Sequence, residues 1–172
     1  MKLLSENAEV QYIKDYPVKI QKDDFDTLYE SAKESNRNRA RYCAHETKES
    51  DLHDMFEIFT INTYLRPIKQ KNKNYSYHII RGSVDVYLFT DDGSVTQIIS
   101  LGDFDSGKPF YFRPPVNVYR TLITRSDFVL YHETTTGPFK REDSLFAPWA
   151  PEESDHSGVT QFISTLKTMS KN

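Results

Sequence analysis

Hydrophobic and polar positions change period along this chain, and each change marks an element. Over the first twenty residues the alternation is weak. Val10-Gln11-Tyr12 and Val18-Lys19-Ile20 flank Pro17 and predict short extended pieces. From Lys22 the period lengthens, with Phe25, Leu28, Tyr29 and Ala32 at i, i+3, i+4 and i+7, the apolar stripe of a helix. Asp23 or Asp24 is placed to cap its N-terminus, and acids in the first turn suit the dipole.

Beyond Arg37 the period shortens to that of strands. Met55, Phe59, Ile61 and Leu65 share one parity and Phe56 and Ile58 the other, which predicts a strand buried on both sides and ended by Arg66-Pro67. Residues 69–74 read as a polar loop. Residues 75–80 and 84–89 are rich in aromatic and β-branched side chains and lie either side of Arg81-Gly82-Ser83. Thr90-Asp91-Asp92-Gly93-Ser94 is a tight hairpin turn, its Asp-Gly supplying the positive-φ positions, and 95–101 is the returning strand. Two more strands, 117–123 and 128–134, lie around Arg125-Ser126-Asp127.

Gly137-Pro138 and Ala147-Pro148-Trp149-Ala150-Pro151 interrupt regular structure, with Trp149 expected to pin the C-terminal segment onto the strands. Val159, Phe162, Ile163 and Leu166 form a second helical stripe. At least six short strands at near-regular spacing, with no helices between them, predict an all-β sandwich or small barrel rather than a parallel sheet. The expected organisation is an N-terminal extension and helix (1–36), a barrel (37–156), and a C-terminal helix and tail (157–172).

Composition narrows the class. Of 172 residues 37% are hydrophobic and 13% aromatic, enough bulk for a core. No apolar run approaches the ~20 residues that cross a bilayer. Met1-Lys2-Leu3-Leu4-Ser5-Glu6-Asn7 turns polar too early for a secretory signal, so a cytoplasmic location is expected. A formal charge of -3 argues against a nucleic-acid partner. One cysteine, Cys43, leaves no internal disulfide and no multi-cysteine zinc site.

The frame around Gly82 resembles that of cupins, small double-stranded β-helix (jelly-roll) barrels. Their first motif carries two histidines and a glutamate ahead of a glycine, and their second a proline, a glycine and a histidine. Counting back from Gly82, the glutamate position holds Tyr75 and the histidine positions hold Gln70 and Ile68. In the second motif Pro115 is followed by Asn117, which tolerates the left-handed conformation a glycine would supply, and the last histidine position holds Arg120.

More specifically, the chain is similar to the WbuC family of cupin-fold proteins found with bacterial surface-polysaccharide genes. Three segments carry the resemblance: Arg37-Asn38-Arg39-Ala40-Arg41-Tyr42-Cys43-Ala44-His45, then Tyr64-Leu65-Arg66-Pro67, and Gly137-Pro138-Phe139 with Phe146-Ala147-Pro148-Trp149-Ala150-Pro151-Glu152-Glu153. It implies a cupin barrel and a homodimer, and the two helical stripes place one N-terminal and one C-terminal helix around that barrel. Members of the family are named metalloproteins. Here Ile68 offers no donor, Gln70 and Tyr75 are poor neutral donors, and Arg120 repels a cation, so no metal and no cofactor are expected.

The candidate ligand-binding residues follow from that frame. Arg120 points a guanidinium into a confined cavity, either paired with a carboxylate such as Glu133 or Glu57, or gripping a ligand's carboxylate or phosphate. Tyr75 and Tyr77 share its cavity by parity, as space-fillers or as partners of a sugar hydroxyl, with Gln70 beside them; His78 faces away. Arg37, Arg39, Arg41, Cys43 and His45 share one face of an extended segment. That face is either an anion clamp or an edge strand salt-bridged to acids such as Glu46 and Glu49. Cys43 reads as packed, His53-Asp54 and His132-Glu133 as pairs split across a sheet, and Lys69, Lys71 and Lys73 as a solvated rim.

The function expected is a metal-free cupin that binds a small anionic ligand, a sugar nucleotide or acidic sugar, in surface-polysaccharide biosynthesis. The alternative is a metal-independent sugar-nucleotide isomerase or epimerase. That chemistry calls for a histidine base with a carboxylate partner at the cavity mouth. A metalloenzyme recruiting other ligands is the third possibility.

Overall fold

A computed structural model of the chain describes residues 1–170, so the last two positions of the expected 157–172 segment lie outside the described residues. Strands β1 (Leu3–Ser5) and β2 (Val10–Ile13) precede helix α1 (Lys22–Glu34). Next come β3 (Arg39–Cys43), β4 (Leu52–Thr60), β5 (Ile68–Gln70), β6 (Tyr75–Arg81), β7 (Ser83–Phe89) and β8 (Val95–Gly102). The chain continues through β9 (Tyr111–Phe112), β10 (Tyr119–Thr124), β11 (Phe128–Thr136) and β12 (Ser144–Phe146) to helix α2 (His156–Met169).

The strands form two facing sheets, ordered β1-β2-β3-β4-β11-β6-β9 and β12-β5-β10-β7-β8. Among the described residues every pairing is antiparallel except β2 with β3. Among the described residues the sheets are not hydrogen-bonded into one closed barrel. The architecture is an all-β double sheet, consistent with the cupin frame, with one helix towards each end. Gly82 carries the chain from β6 in the large sheet to β7 in the small one; its φ is +86°, and a Cβ there would lie 2.3 Å from the Phe128 carbonyl oxygen.

Three hydrophobic layers follow from strand parity. Phe59, Tyr77, Ile79, Val84, Val86, Leu88, Leu122, Val129 and Tyr131 pack between the sheets. Leu28 and Ala32 of α1 bury Ala40, Tyr42, Ile58 and Leu130 on the outer side of the large sheet. That covering explains why β4 is apolar on both parities. Leu166 of α2, with Ala147 and Ala150, covers Tyr87, Phe89, Tyr119 and Ile123 on the outer side of the small sheet. Trp149 packs against Phe89 with its ring tilted, centroids 5.0 Å apart, and donates from Nε1 to the Asp91 carbonyl, which pins the C-terminal segment to the β7–β8 turn.

Several local expectations change. β4 stops at Thr60, and Ile61 is exposed, because the chain turns there, with Thr63 N–H bonding the Thr60 carbonyl. Residues 18–20 form no strand; Val18 and Ile20 pack beside α1. The α1 N-cap is Gln21, and Asp24 closes a capping box from the N3 position instead. The lysines do not all lie in a solvated loop. Ile68–Gln70 is a strand, Lys69 pairs with Asp91 at 2.6 Å, and Lys73 is buried over the Phe139 ring.

Candidate ligand-binding site

The inner face of the large sheet is built in ranks, because residues opposite one another on neighbouring strands share a face. One rank runs Arg41, Glu57, Tyr131, Ile79 across β3, β4, β11 and β6; the next runs Cys43, Met55, Glu133, Tyr77. Arg120 faces them from β10 of the small sheet, paired with Ile68 of β5 and Leu88 of β7. Between the sheets lies a cavity of about 360 Å³, its lining including Arg39, Arg41, Glu57, Gln70, Tyr77, Arg120, Tyr131 and Glu133.

Arg120 is 3% exposed. Its Nε donates to Tyr77 Oη at 2.7 Å, its Nη1 to the Ile68 carbonyl at 3.3 Å, and its guanidinium lies 3.7 Å above the Tyr75 ring. The expected contact pair with Glu133 or Glu57 does not form; among the described residues no carboxylate lies within 4.0 Å of Arg120. Burial disfavours its charge, but Tyr77, Tyr75 and Glu133 around it hold it firmly protonated. Two polar atoms beside it, Gln70 Oε1 and Tyr75 Oη, are buried without a partner among the described residues, as is Arg41 Nε. Such atoms are costly to leave unsatisfied.

Glu57 accepts from Tyr131 Oη at 3.0 Å and faces Arg41 at 3.7 Å. Glu133 has no hydrogen bond or ion pair among the described residues. Burial and the neighbouring Glu57 push its carboxyl up to about 7, against the pull of Arg120, Arg41 and Lys73.

At the cavity mouth Arg37 and Arg39 are held in a ring of ion pairs with Glu9 and Glu153. Arg37 pairs with Glu9 and, at 3.5 Å, with Glu153, while Arg39 reaches Glu153 at 3.2 Å and Glu9 at 3.5 Å. Their partners are thus distant in sequence rather than Glu46 and Glu49. β3 is also an interior strand, not an edge. Tyr64 donates to the Pro151 carbonyl at 2.8 Å and Arg66 to the Ala147 carbonyl at 3.0 Å. The segments around residues 39, 64–66 and 147–153 therefore close on one another as one structural unit.

Of the candidate residues, Arg120, Tyr77, Gln70, Arg39 and Arg41 line the cavity, and Tyr75 lies directly beneath Arg120. His45 does not belong to the site. β3 ends at Cys43, so strand parity no longer applies; the His45 ring stacks on His53 at 4.1 Å, with Nδ1 3.1 Å from the Asp54 carbonyl. Tyr131 and Arg141, both in the lining, were missed. Tyr131 shares the parity of Glu133 within its strand and was legible; Arg141 opens a 3-10 turn over Arg141–Asp143, too short to show a pattern.

The residues present do not fit a metal. The positions that correspond to cupin ligands hold a hydrocarbon, an amide, a phenol and a guanidinium. Among the described residues no group of three or more His, Cys, Asp and Glu is placed to hold an ion. Nor, among the described residues, does the cavity hold a histidine–carboxylate dyad. His132 Nε2 lies 3.3 Å from Asp54 Oδ1, but on the opposite face of the large sheet, where His132 stacks on Phe56. Burial pushes the Cys43 thiol up to about 11, the mark of a packed cysteine.

With this geometry in view, comparison with known proteins is informative about fold. Residues 20–101, from the start of α1 through most of β8, match a domain of unknown function (DUF6016). No curated protein matches the sequence. Protein SO0799 from Shewanella oneidensis superposes with a TM-score of 0.59 at 13% identity, over 84% of this chain and 94% of that one. Streptomyces Pac13, a nucleoside dehydratase, gives 0.49 at 11% identity over 65% and 80%. The cupin domain of Schizosaccharomyces pombe Cnp3 gives 0.45 at 14% over 59% and 66%. At such identities likeness concerns the fold alone.

Proposed function

We propose that the cavity binds a small anionic ligand, a sugar nucleotide or an acidic sugar, with Arg120 as its anchor. One observation carries this reading. A guanidinium is buried in a cavity without a carboxylate at contact distance, although a buried charge is costly unless it is paired. A ligand oxyanion supplies the missing partner. Gln70 Oε1 and Arg41 Nε, unpartnered in the residues that line the cavity, supply further polar contacts for ligand hydroxyls.

The resemblance of the 37–45, 64–67 and 137–153 segments to WbuC proteins supports a place in bacterial surface-polysaccharide biosynthesis. The same resemblance carries a homodimer, for which exposed Phe104 and Tyr111, the latter in edge strand β9, offer apolar surface. The isomerase or epimerase alternative has no observation in its favour, since no histidine lines the cavity among the described residues.

The test is a thermal-shift series with uridine diphosphate glucose, glucuronate and neutral glucose against the wild type and Arg120→Ala. Either anion is expected to raise the melting temperature of the wild type alone. Stabilisation that survives Arg120→Ala unchanged removes Arg120 as the anchor, and none by either anion overturns the reading.

A further inference from the structure

Glu133 stands directly across from Tyr77 in the β11–β6 register, and Tyr77 is the residue whose hydroxyl accepts from Arg120 Nε. The carboxyl and the guanidinium therefore border the same space, both lining the cavity, without touching each other. The other carboxyl of that floor, Glu57, is already engaged by Tyr131 and faced by Arg41. Glu133 is engaged by nothing among the described residues.

We propose that Glu133 is the second anchor of the cavity, donating an O–H hydrogen bond in its acid form to the same oxyanion that Arg120 holds, so that the anion arrives together with one proton. This rests on the anion-binding reading above. An oxyanion drawn to Arg120 otherwise meets two carboxylates, Glu57 and Glu133, lining the same cavity, where like charges repel. Protonating one of them turns a repulsion into a short, charge-assisted hydrogen bond.

The groups facing Glu133 are Arg41 and Cys43 from β3, Glu57 from β4, Tyr75 and Tyr77 from β6, Arg120 from β10, Tyr131 on its own strand, and Lys73 ahead of β6. The cations lower its proton affinity, whereas burial and Glu57 raise it and prevail, holding the carboxyl near neutrality. Both protonation states are thus within reach at neutral pH, and the bound anion selects the acid.

The test is calorimetric titration between pH 6 and 9 with glucuronate and with uridine diphosphate glucose, glucose serving as the uncharged control. The two anions separate a carboxylate from a diphosphate as the source of the oxyanion. Binding of either is expected to take up close to one proton at pH 8 and above and little at pH 6, read from buffers of different ionisation enthalpy, and to weaken about tenfold per pH unit above neutrality. Glu133→Gln keeps a neutral donor, so it is expected to bind at pH 8 about as the wild type does at pH 6, without the slope.

A slope that persists in Glu133→Gln, or wild-type binding without proton uptake, overturns the role of Glu133 and leaves Arg120 standing. Failure of both anions to bind the wild type, or equal binding of glucose, overturns both. Carboxyl-carbon NMR of the wild type gives a reading that needs no variant, since a Glu133 that titrates in the ordinary carboxylate range overturns the proposal.

Discussion

Arg120 reaches across the sandwich from β10 to lie 3.7 Å above the ring of Tyr75 on β6, so the two sheets meet through a cation stacked on a phenol. This contact separates what Arg120 does for stability from what it does for binding.

A buried guanidinium that lacks a carboxylate carries a desolvation penalty which stacking and two hydrogen bonds only partly offset. Arg120→Met, similar in length and apolar, is expected to hold or raise stability, within about 2 kcal/mol, while abolishing anion binding. Arg120→Ala leaves a void and an unpaired Tyr77 hydroxyl, and is expected to cost about 2–4 kcal/mol. Denaturant titrations of both variants check the order.

The stacked rings of His45 and His53 make a second prediction. Burial holds both below the ordinary histidine value, with Arg41 and neighbouring positive groups acting in the same direction. The unfolded chain therefore binds protons that the native pair refuses, so this pair loses stability as pH falls below about 6.5. Glu133 acts with the opposite sign, because its raised value favours the fold as pH falls through about 7. Denaturation midpoints in a Glu133→Gln background are expected to show the acid loss more steeply, and His45→Gln with His53→Gln to flatten it.

Trp149 bears on the β7–β8 turn through Phe89, Tyr119 and Gly93, where a Cβ would come within 2.8 Å of its indole. Trp149→Ala is expected to cost about 2–4 kcal/mol. Gly93→Ala is also expected to destabilise, since φ is +93° there as well. Chemical denaturation followed by circular dichroism measures both.

Much of the frame was legible because it rests on local constraints. The left-handed backbone at Gly82 and Asn117 restricts residue type, and counting from those two positions placed Ile68, Gln70, Tyr75 and Arg120 together. Both helices showed in their stripes. β5, β9 and β12 did not, since two or three residues are too few to show alternation. His45 was misplaced because parity holds only while a strand continues. Glu9 and Glu153 escaped notice because their pairing with Arg37 and Arg39 spans 28 to 116 residues and is fixed only by tertiary packing. The free state of Glu133 was hidden for a similar reason, as it depends on which cations stop short of it.

The four-residue ring at the mouth joins the approach to β2, the start of β3 and the run into α2. It therefore acts as a latch whose strength is set by the ionic medium. Simple steering slows capture of an anion as salt is added, whereas half-exposed pairs such as Arg37 with Glu153 are themselves weakened by screening. Where undoing the latch limits access, association measured by stopped flow is expected to quicken with salt, and Glu9→Gln to quicken it without salt.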